Sequence, residues 1–119
     1  MTRENKMKRS IKSEQREVRI LSFIANAAGT ALSGLDALKV SMTDTGTGVK
    51  TIELGDSAFG STADYSVHVT TATADSVAQV SITDYNTFVI NTFDSTDGTT
   101  AKDAICHVLV IGSDIESRY

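Results

Sequence analysis

Two histidines and one cysteine are the side chains best suited to metal binding or nucleophilic chemistry in this chain. Cys106 and His107 are adjacent, and His68 lies far earlier in the sequence. Both histidines fall in segments whose alternation predicts β-strands, and adjacent strand residues point to opposite faces. A zinc site needs several converging ligands, so we expect none here. The pattern instead predicts His107 as a core histidine, His68 as a surface residue and Cys106 as a buried, unreactive thiol.

Carboxylates are plentiful, but they stand in polar loops rather than in apolar surroundings. Catalytic carboxylates need burial or a neighbour that tunes their pKa, and these loops offer neither. Asp94 and Asp97, in D-S-T-D-G, could hold a calcium ion at a loop tip, yet the EF-hand pattern and its closing glutamate are absent. No nucleophile, Walker-type or dinucleotide-binding motif occurs in the chain. We therefore expect no catalytic residue, no metal and no cofactor.

Charge is unevenly distributed along the 119 residues, although the net charge is only -4. Residues 1–19 hold seven basic and three acidic side chains, whereas the remaining hundred hold four basic and twelve acidic ones. We interpret residues 1–17 as a basic arm, extended or partly helical, on an acidic domain over residues 18–119. A solvated, frayed terminus is the alternative interpretation. The partner-binding residues predicted for the arm are Arg3, Lys6, Lys8, Arg9, Lys12, Arg16 and Arg19.

A nucleic acid is a poor match for this charge distribution. An acidic domain repels phosphates, and aromatic residues form only 6% of the chain and are not interleaved with basic ones. The arm therefore fits an acidic protein surface better than DNA.

The sequence of the acidic domain predicts several β-strands, of which two form a central hairpin. Residues 77–93 contain two β-rich segments joined by T-D-Y-N, in which Asp84 and Asn86 suit a tight turn. Ala78, Val80 and Ile82 alternate with polar residues, which is typical of a half-buried antiparallel strand. Further strands are predicted over 18–26, 38–44, 49–54, 65–71 and 104–111.

Seven short strands with turns between them predict an all-β domain, most simply an antiparallel β-sandwich. A jelly-roll or a small barrel is the nearest alternative. The strand over 104–111 is apolar on both faces apart from His107, so we expect a central strand with both faces covered. Residues 27–39 are predicted to be a loop or one helical turn, and Phe59 is predicted to anchor the connection over 55–63.

Targeting signals are not visible in the sequence. The basic N-terminus lacks the apolar region of a signal peptide, and no run is long enough to span a membrane. A single cysteine cannot form an internal disulfide, which fits assembly in a reducing cytoplasm.

The strand sequences also carry a family resemblance, which covers residues 49–112. The succession of Phe59, Y-S-V-H-V-T from Tyr65, V-A-Q-V-S-I-T from Val77, T-F-V-I-N-T-F from Thr87 and H-V-L-V-I-G from His107 resembles the small β-sandwich proteins of tailed-bacteriophage virions. These include head decoration proteins and tail or fibre modules. The resemblance implies a non-enzymatic virion component, present in many copies and often trimeric, whose N-terminal arm reaches the major capsid protein or another virion protein. It implies assembly in the host cytoplasm, and it carries over no individual functional residue.

A carbohydrate- or receptor-binding tail module is the alternative function. Its contacts would come from the loops over 71–76 and 94–102, with Tyr85, Asp94 and Asp97 as ligand-binding residues. A small enzyme would need a cleft for which the sequence gives no sign. The predicted strand over 65–71 has no proline and no lysine, and as a sheet edge it would favour pairing between copies of a homo-oligomer.

Overall fold

Short segments rich in threonine and β-branched residues fold into strands here, as their composition predicts. The computed structural model describes residues 18–113, which form two four-stranded antiparallel sheets packed against each other. The predicted β-sandwich is therefore confirmed. The arm over residues 1–17, with six of its seven predicted contact residues, lies outside the described residues. The strands are β1 (Val18–Ala25), β2 (Leu32–Ser33), β3 (Ser41–Gly46), β4 (Val49–Glu53), β5 (Tyr65–Thr71), β6 (Ser76–Asp84), β7 (Thr87–Asp94) and β8 (Cys106–Ser113).

The first sheet has the strand order β2-β1-β8-β5, and the second sheet has the order β3-β4-β7-β6. Two short 3₁₀ turns, Ala37–Lys39 and Gly55–Ser57, lie in the connections. No helix within residues 18–113 has the length and apolar character that crossing a membrane requires.

Alternate residues of each central strand build one core between the sheets. In β1, Leu21 and Phe23 are buried, and they face a second layer that includes Phe88 of β7. The ring of Phe59 stacks on that of Tyr65 with 4.9 Å between centroids, so the predicted anchoring of the 55–63 connection is confirmed.

The connection also lies very close to the end of β8. A Cβ atom at Gly112 would lie 2.5 Å from the Phe59 ring, so only glycine lets β8 pass this close to it.

The hairpin formed by β6 and β7 follows the sequence prediction closely. Asn86 donates its backbone N–H to Oδ1 of Asp84 at 3.0 Å, which is the expected bond of a short Asx side chain in a turn. Val80 and Ile82 pack against the core from β6. The phenol of Tyr65 reaches across and donates a hydrogen bond to the carbonyl oxygen of Asp84 at 2.7 Å, which ties the turn to β5.

The segment over residues 27–39 contains more structure than the sequence predicted. Its residues Leu32 and Ser33 form β2, which pairs with the end of β1, and this makes eight strands instead of seven. The 3₁₀ turn Ala37–Lys39 occupies the start of the strand predicted over 38–44, so β3 begins only at Ser41.

The structure of β8 differs from the prediction in how many of its faces are covered by other residues. Its position between β1 and β5 is central, as expected, but only Cys106, Val108 and Val110 are buried. His107 and Leu109 point to the outer side of the first sheet and are exposed. The prediction that both faces are covered is wrong, and so is the prediction of His107 as a core histidine, because the described domain packs only one layer against this sheet. The predictions of Cys106 as buried and His68 as exposed are confirmed.

Candidate docking surface

The outer side of the first sheet is the most distinctive surface of the described domain. The pairing of β1 with β8 and of β8 with β5 arranges its outward side chains in three rows of three. We call this grid the docking face, and its rows are Ile20, Ile111 and Ser66; then Ser22, Leu109 and His68; then Ile24, His107 and Thr70.

The docking face exposes more apolar surface than its counterpart on the second sheet. Ile20 is 55% exposed, Leu109 is 37% exposed, and Val18, next to the grid at the start of β1, is 68% exposed. Among the described strand residues of the second sheet, Val77 is the one large apolar side chain exposed to this degree, at 43%. Clustered apolar exposure marks interaction sites, whereas isolated apolar residues on a surface are ordinary.

An open depression of about 490 Å³ lies across the second and third rows of the docking face. Apolar, imidazole and hydroxyl groups line it together, and no carboxylate does; the lining includes Ser22, Ile24, Leu35, His68, Thr70, His107 and Leu109. Such a lining is suited to apolar contacts and to hydrogen bonds with its hydroxyl and imidazole groups.

A buried aspartate shapes the rim of this depression. Ser22 donates its backbone N–H to Oδ2 of Asp36 at 2.7 Å, and the N–H of Asp36 returns a bond to the carbonyl of Ser22 at 2.9 Å. Nζ of Lys39 lies 3.3 Å from Oδ1 of the same carboxylate. These bonds satisfy part of the β1 edge, and the neighbouring Leu35 is 86% exposed. The sequence prediction missed Asp36, because G-L-D signals a turn and does not reveal the bonds that Asp36 makes to the backbone of β1.

The two histidines are diagonal neighbours on the docking face. His68 lies opposite Leu109, and His107 lies opposite Thr70, one row away. Nε2 of His68 is 3.1 Å from Oγ of Ser66. Within residues 18–113, no group of three or more His, Cys, Asp or Glu side chains could hold a metal ion. The arrangement offers imidazole and hydroxyl groups as hydrogen-bonding partners on this face.

Arg19 has its hydrogen bonds inside the domain, although it was predicted with the arm. Its Nη2 donates to the carbonyl oxygens of Ser57 and Ala58, each at 2.6 Å. Its guanidinium also lies 4.3 Å from the centroid of the Phe59 ring, in a cation–π contact. Arg19 thus fixes the start of β1 to the 55–63 connection, and the other six predicted arm residues lie outside the described part.

The remaining three cations of the described domain also have internal partners. Lys39 pairs with Asp36, and Nζ of Lys102 donates to the carbonyls of Ala74 and Asp75 at 2.9 and 3.2 Å. Lys50 is only 1% exposed and donates to the carbonyl of Ala104. Residues 18–113 carry ten acidic side chains against these four basic ones, so the accessible charge of the domain is strongly negative.

Lys50 is the main core residue that the sequence prediction missed. Its Nζ lies 3.1 Å from the carbonyl oxygen of Ala104, to which Cys106 also donates its thiol at 3.5 Å. Burial raises the pKa of the Cys106 thiol, and the nearby Lys50 ammonium offsets part of that rise. The signal for this arrangement was available, because Lys50 shares its strand face with the buried Ile52.

The residues predicted for a ligand-binding site do not come together. Tyr85 is 51% exposed in the turn between β6 and β7, whereas Asp94 ends β7 at the opposite end of the strand, about 23 Å away at roughly 3.3 Å per residue. Tyr85 and the two loop carboxylates therefore do not lie in one cluster, and binding at either place stays a prediction. The loops over 71–76 and 94–102 do meet, through the N–H of Ser95 and the carbonyl of Asp75.

Both loop carboxylates bond within their own loop. Asp94 accepts the backbone N–H and the hydroxyl of Thr96, and these bonds lower its pKa. Asp97 accepts from the hydroxyl and N–H of Thr100 and from the N–H of Thr99, which lowers its pKa to about 2. The carboxylates are turn-forming groups in the described structure.

Comparison of the chain with protein-family models, with curated protein sequences and with solved structures finds no match in any of the three.

Proposed function

We propose that this chain is a non-enzymatic structural protein of a bacteriophage virion, a capsid decoration or cement protein that binds the shell through residues 1–17 and the docking face. One observation carries the proposal. The basic segment ends at residue 17, and β1 begins at once with Val18 and Ile20, whose exposed side chains lead onto the docking face. A partner that holds the basic segment is therefore in reach of the apolar face.

The charges favour an acidic protein surface as the partner. Residues 1–17 contain six basic and three acidic side chains, while the cations of the described domain bond internally. A shell protein that offers carboxylates to the segment and apolar groups to the docking face would complement both parts. Many identical weak contacts around a lattice then add by multivalency. The virion setting itself rests on the resemblance of the strand sequences to tailed-phage proteins.

Co-sedimentation with virion shells purified without this protein tests the proposal. Deletion of residues 1–17 should abolish binding while the far-ultraviolet circular dichroism of the β-sandwich is preserved. Ile20→Lys should weaken binding about tenfold or more, because an apolar contact is replaced by a desolvated charge. The matched control is Val77→Lys, which places the same charge at a similarly exposed position on the second sheet. Normal binding by the deletion variant, or equal losses for the two lysine variants, would contradict docking as described.

A carbohydrate- or receptor-binding tail module is the second candidate, and the exposed ring of Tyr85 favours it. The turn that carries Tyr85 is fixed, because its carbonyl accepts the N–H of Phe59 at 3.2 Å. A rigid, half-exposed aromatic ring is a suitable platform for a sugar. Specific signals on a glycan array that Tyr85→Ala removes would favour this function, whereas shell binding that is unchanged in Tyr85→Ala would favour decoration.

A further inference from the structure

Three of the four sheet edges in the described domain carry features that discourage pairing with another chain. β2 is only two residues long and pairs with the last two residues of β1, and the buried Asp36 bonds to Ser22 further along that edge. The register of β3 shifts between Asp44 and Gly46, and that of β6 shifts between Ile82 and Asp84, so each has an irregularity beside a carboxylate. Short edges, bulges and charges are the usual protections of an exposed strand.

β5 is the exception among these edges. Its seven residues, Y-S-V-H-V-T-T, contain no charge, no proline and no register shift, and its only strand partner in the described part is β8. One side of β5 therefore presents unpaired backbone N–H and C=O groups. Such an edge is a template for an added strand.

We propose that β5 pairs with β5 of a second copy, in antiparallel orientation, about a two-fold axis at His68. His68 is the middle residue of the strand, so this register places Ser66 opposite Thr70 and Val67 opposite Val69 of the other copy. The first sheets of the two copies then join into one continuous sheet. The two docking faces become a single surface, and both edges are satisfied.

The side chains of β5 complement themselves in this register. On the inner side, Val67 and Val69 pack against the core but remain only half-buried, and a second β5 supplies the missing apolar neighbours. On the outer side, Ser66 and Thr70 pair hydroxyl with hydroxyl. Cross-strand pairs of β-branched and of hydroxyl residues stabilise antiparallel sheets.

The distribution of charge favours self-pairing through β5 over self-pairing through the other edge strands. The described domain carries ten acidic and four basic side chains, so most contacts between two copies bring like charges together. Self-pairing through β3 or β6 would add Asp44 or Asp84 to the contact. β5 adds no carboxylate. The pairing uses the sheet edge and is independent of the proposed docking of the face on a shell.

Sedimentation velocity on the full chain, over a range of concentrations, tests the pairing. The wild-type protein should be a dimer, and His68→Lys should raise the dimer dissociation constant at least tenfold, because two ammonium groups would face each other at the axis. Gln79→Lys is the matched control, since Gln79 is an exposed, outward residue in the middle of the other long edge strand, β6. It should leave the dimer intact.

Disulfide formation gives a second readout that does not depend on the lysine variant. His68→Cys should form an intermolecular disulfide under mild oxidation, and Gln79→Cys should not, while the native Cys106 is buried and does not compete. A monomeric wild-type protein would overturn the proposal and leave the edge to a strand of a different protein. An oligomer, a trimer included, that is unaffected by His68→Lys and is not cross-linked at position 68 would overturn it equally.

Discussion

Tyr65 offers the sharpest test of what stabilises the domain, because its ring and its hydroxyl group make separate contacts. The ring stacks on Phe59 and lies 6.5 Å from the ring of Phe88 between centroids, and the residue is 6% exposed. The hydroxyl donates to the carbonyl oxygen of Asp84 at 2.7 Å, with the carbonyl of Thr87 further away at 3.4 Å. Tyr65→Phe removes the hydroxyl and keeps the ring.

At pH 7 we expect Tyr65→Phe to lower the free energy of unfolding by about 1–2 kcal/mol. This is the usual cost of losing one hydrogen bond and leaving its partner carbonyl without it. Tyr65→Ala also empties a core position and should cost about 3–5 kcal/mol. Urea denaturation measures both, and an unchanged m-value would show that the extent of unfolding is the same.

Alkaline pH should remove or reverse the difference in stability between the wild-type protein and Tyr65→Phe. Burial, helped by the nearby Asp84 carboxylate, raises the pKa of Tyr65 from 10.0 to about 12. Because the folded pKa is the higher one, the contribution of the neutral phenol is complete below pH 10 and is lost as the pH rises to 12. Two pKa units correspond to at most about 2.7 kcal/mol.

The wild-type protein should therefore lose stability between pH 10 and 12 relative to Tyr65→Phe, until the variant is equally or more stable. Denaturation curves at pH 7, 10 and 12 follow this change. Equal stability at pH 7, or a difference that stays constant up to pH 12, would refute the assigned role of the hydroxyl.

Three further predictions concern the N-terminal end of β1, the core thiol and a tight turn. Arg19→Met should lower the thermal stability by about 1–3 kcal/mol, because two hydrogen bonds and the cation–π contact with Phe59 are lost, and an unchanged melting temperature would contradict that role. Cys106 is fully buried with a raised pKa, so a thiol reagent at pH 8 should label it only as fast as the domain unfolds, and rapid labelling without denaturant would be inconsistent with the fold. Gly48→Ala should destabilise the domain by about 1–3 kcal/mol in chemical denaturation, because φ is +70° and a Cβ atom would lie 2.5 Å from the carbonyl oxygen of Thr92; a neutral substitution would contradict this close approach.

The sequence predicted the fold best where local signals were sufficient. β5 was predicted over exactly its observed residues, because its alternation and its flanking turns agree. The Asx turn of Asp84 and Asn86 needed only neighbouring residues. The wrong predictions concern which face of a strand is buried, because burial depends on distant parts of the chain. Alternation indicates that His107 and Cys106 face opposite ways, but it does not reveal which face receives a second layer.

The candidate site was harder to predict for the same reason. Its rows combine residues from β1, β5 and β8, whose order in the sheet follows from tertiary pairing. Lys50 was missed because a lysine is usually solvated, and the sequence does not show that its ammonium group meets the carbonyl oxygen of Ala104. Tyr85 and Asp94 were grouped by chemical suitability, although one strand length separates them.

The attachment of β1 has a mechanical consequence. Eight residue pairs, from Val18 with Ser113 to Ala25 with Cys106, join β1 to β8, and the Arg19 side chain bonds the start of β1 to the 55–63 connection. Tension that enters the domain through residue 17 along the direction of β1 loads this ladder in shear, so its bonds share the force instead of opening one after another. A tether fixed at that point can transmit a pull into the whole sheet before any strand detaches.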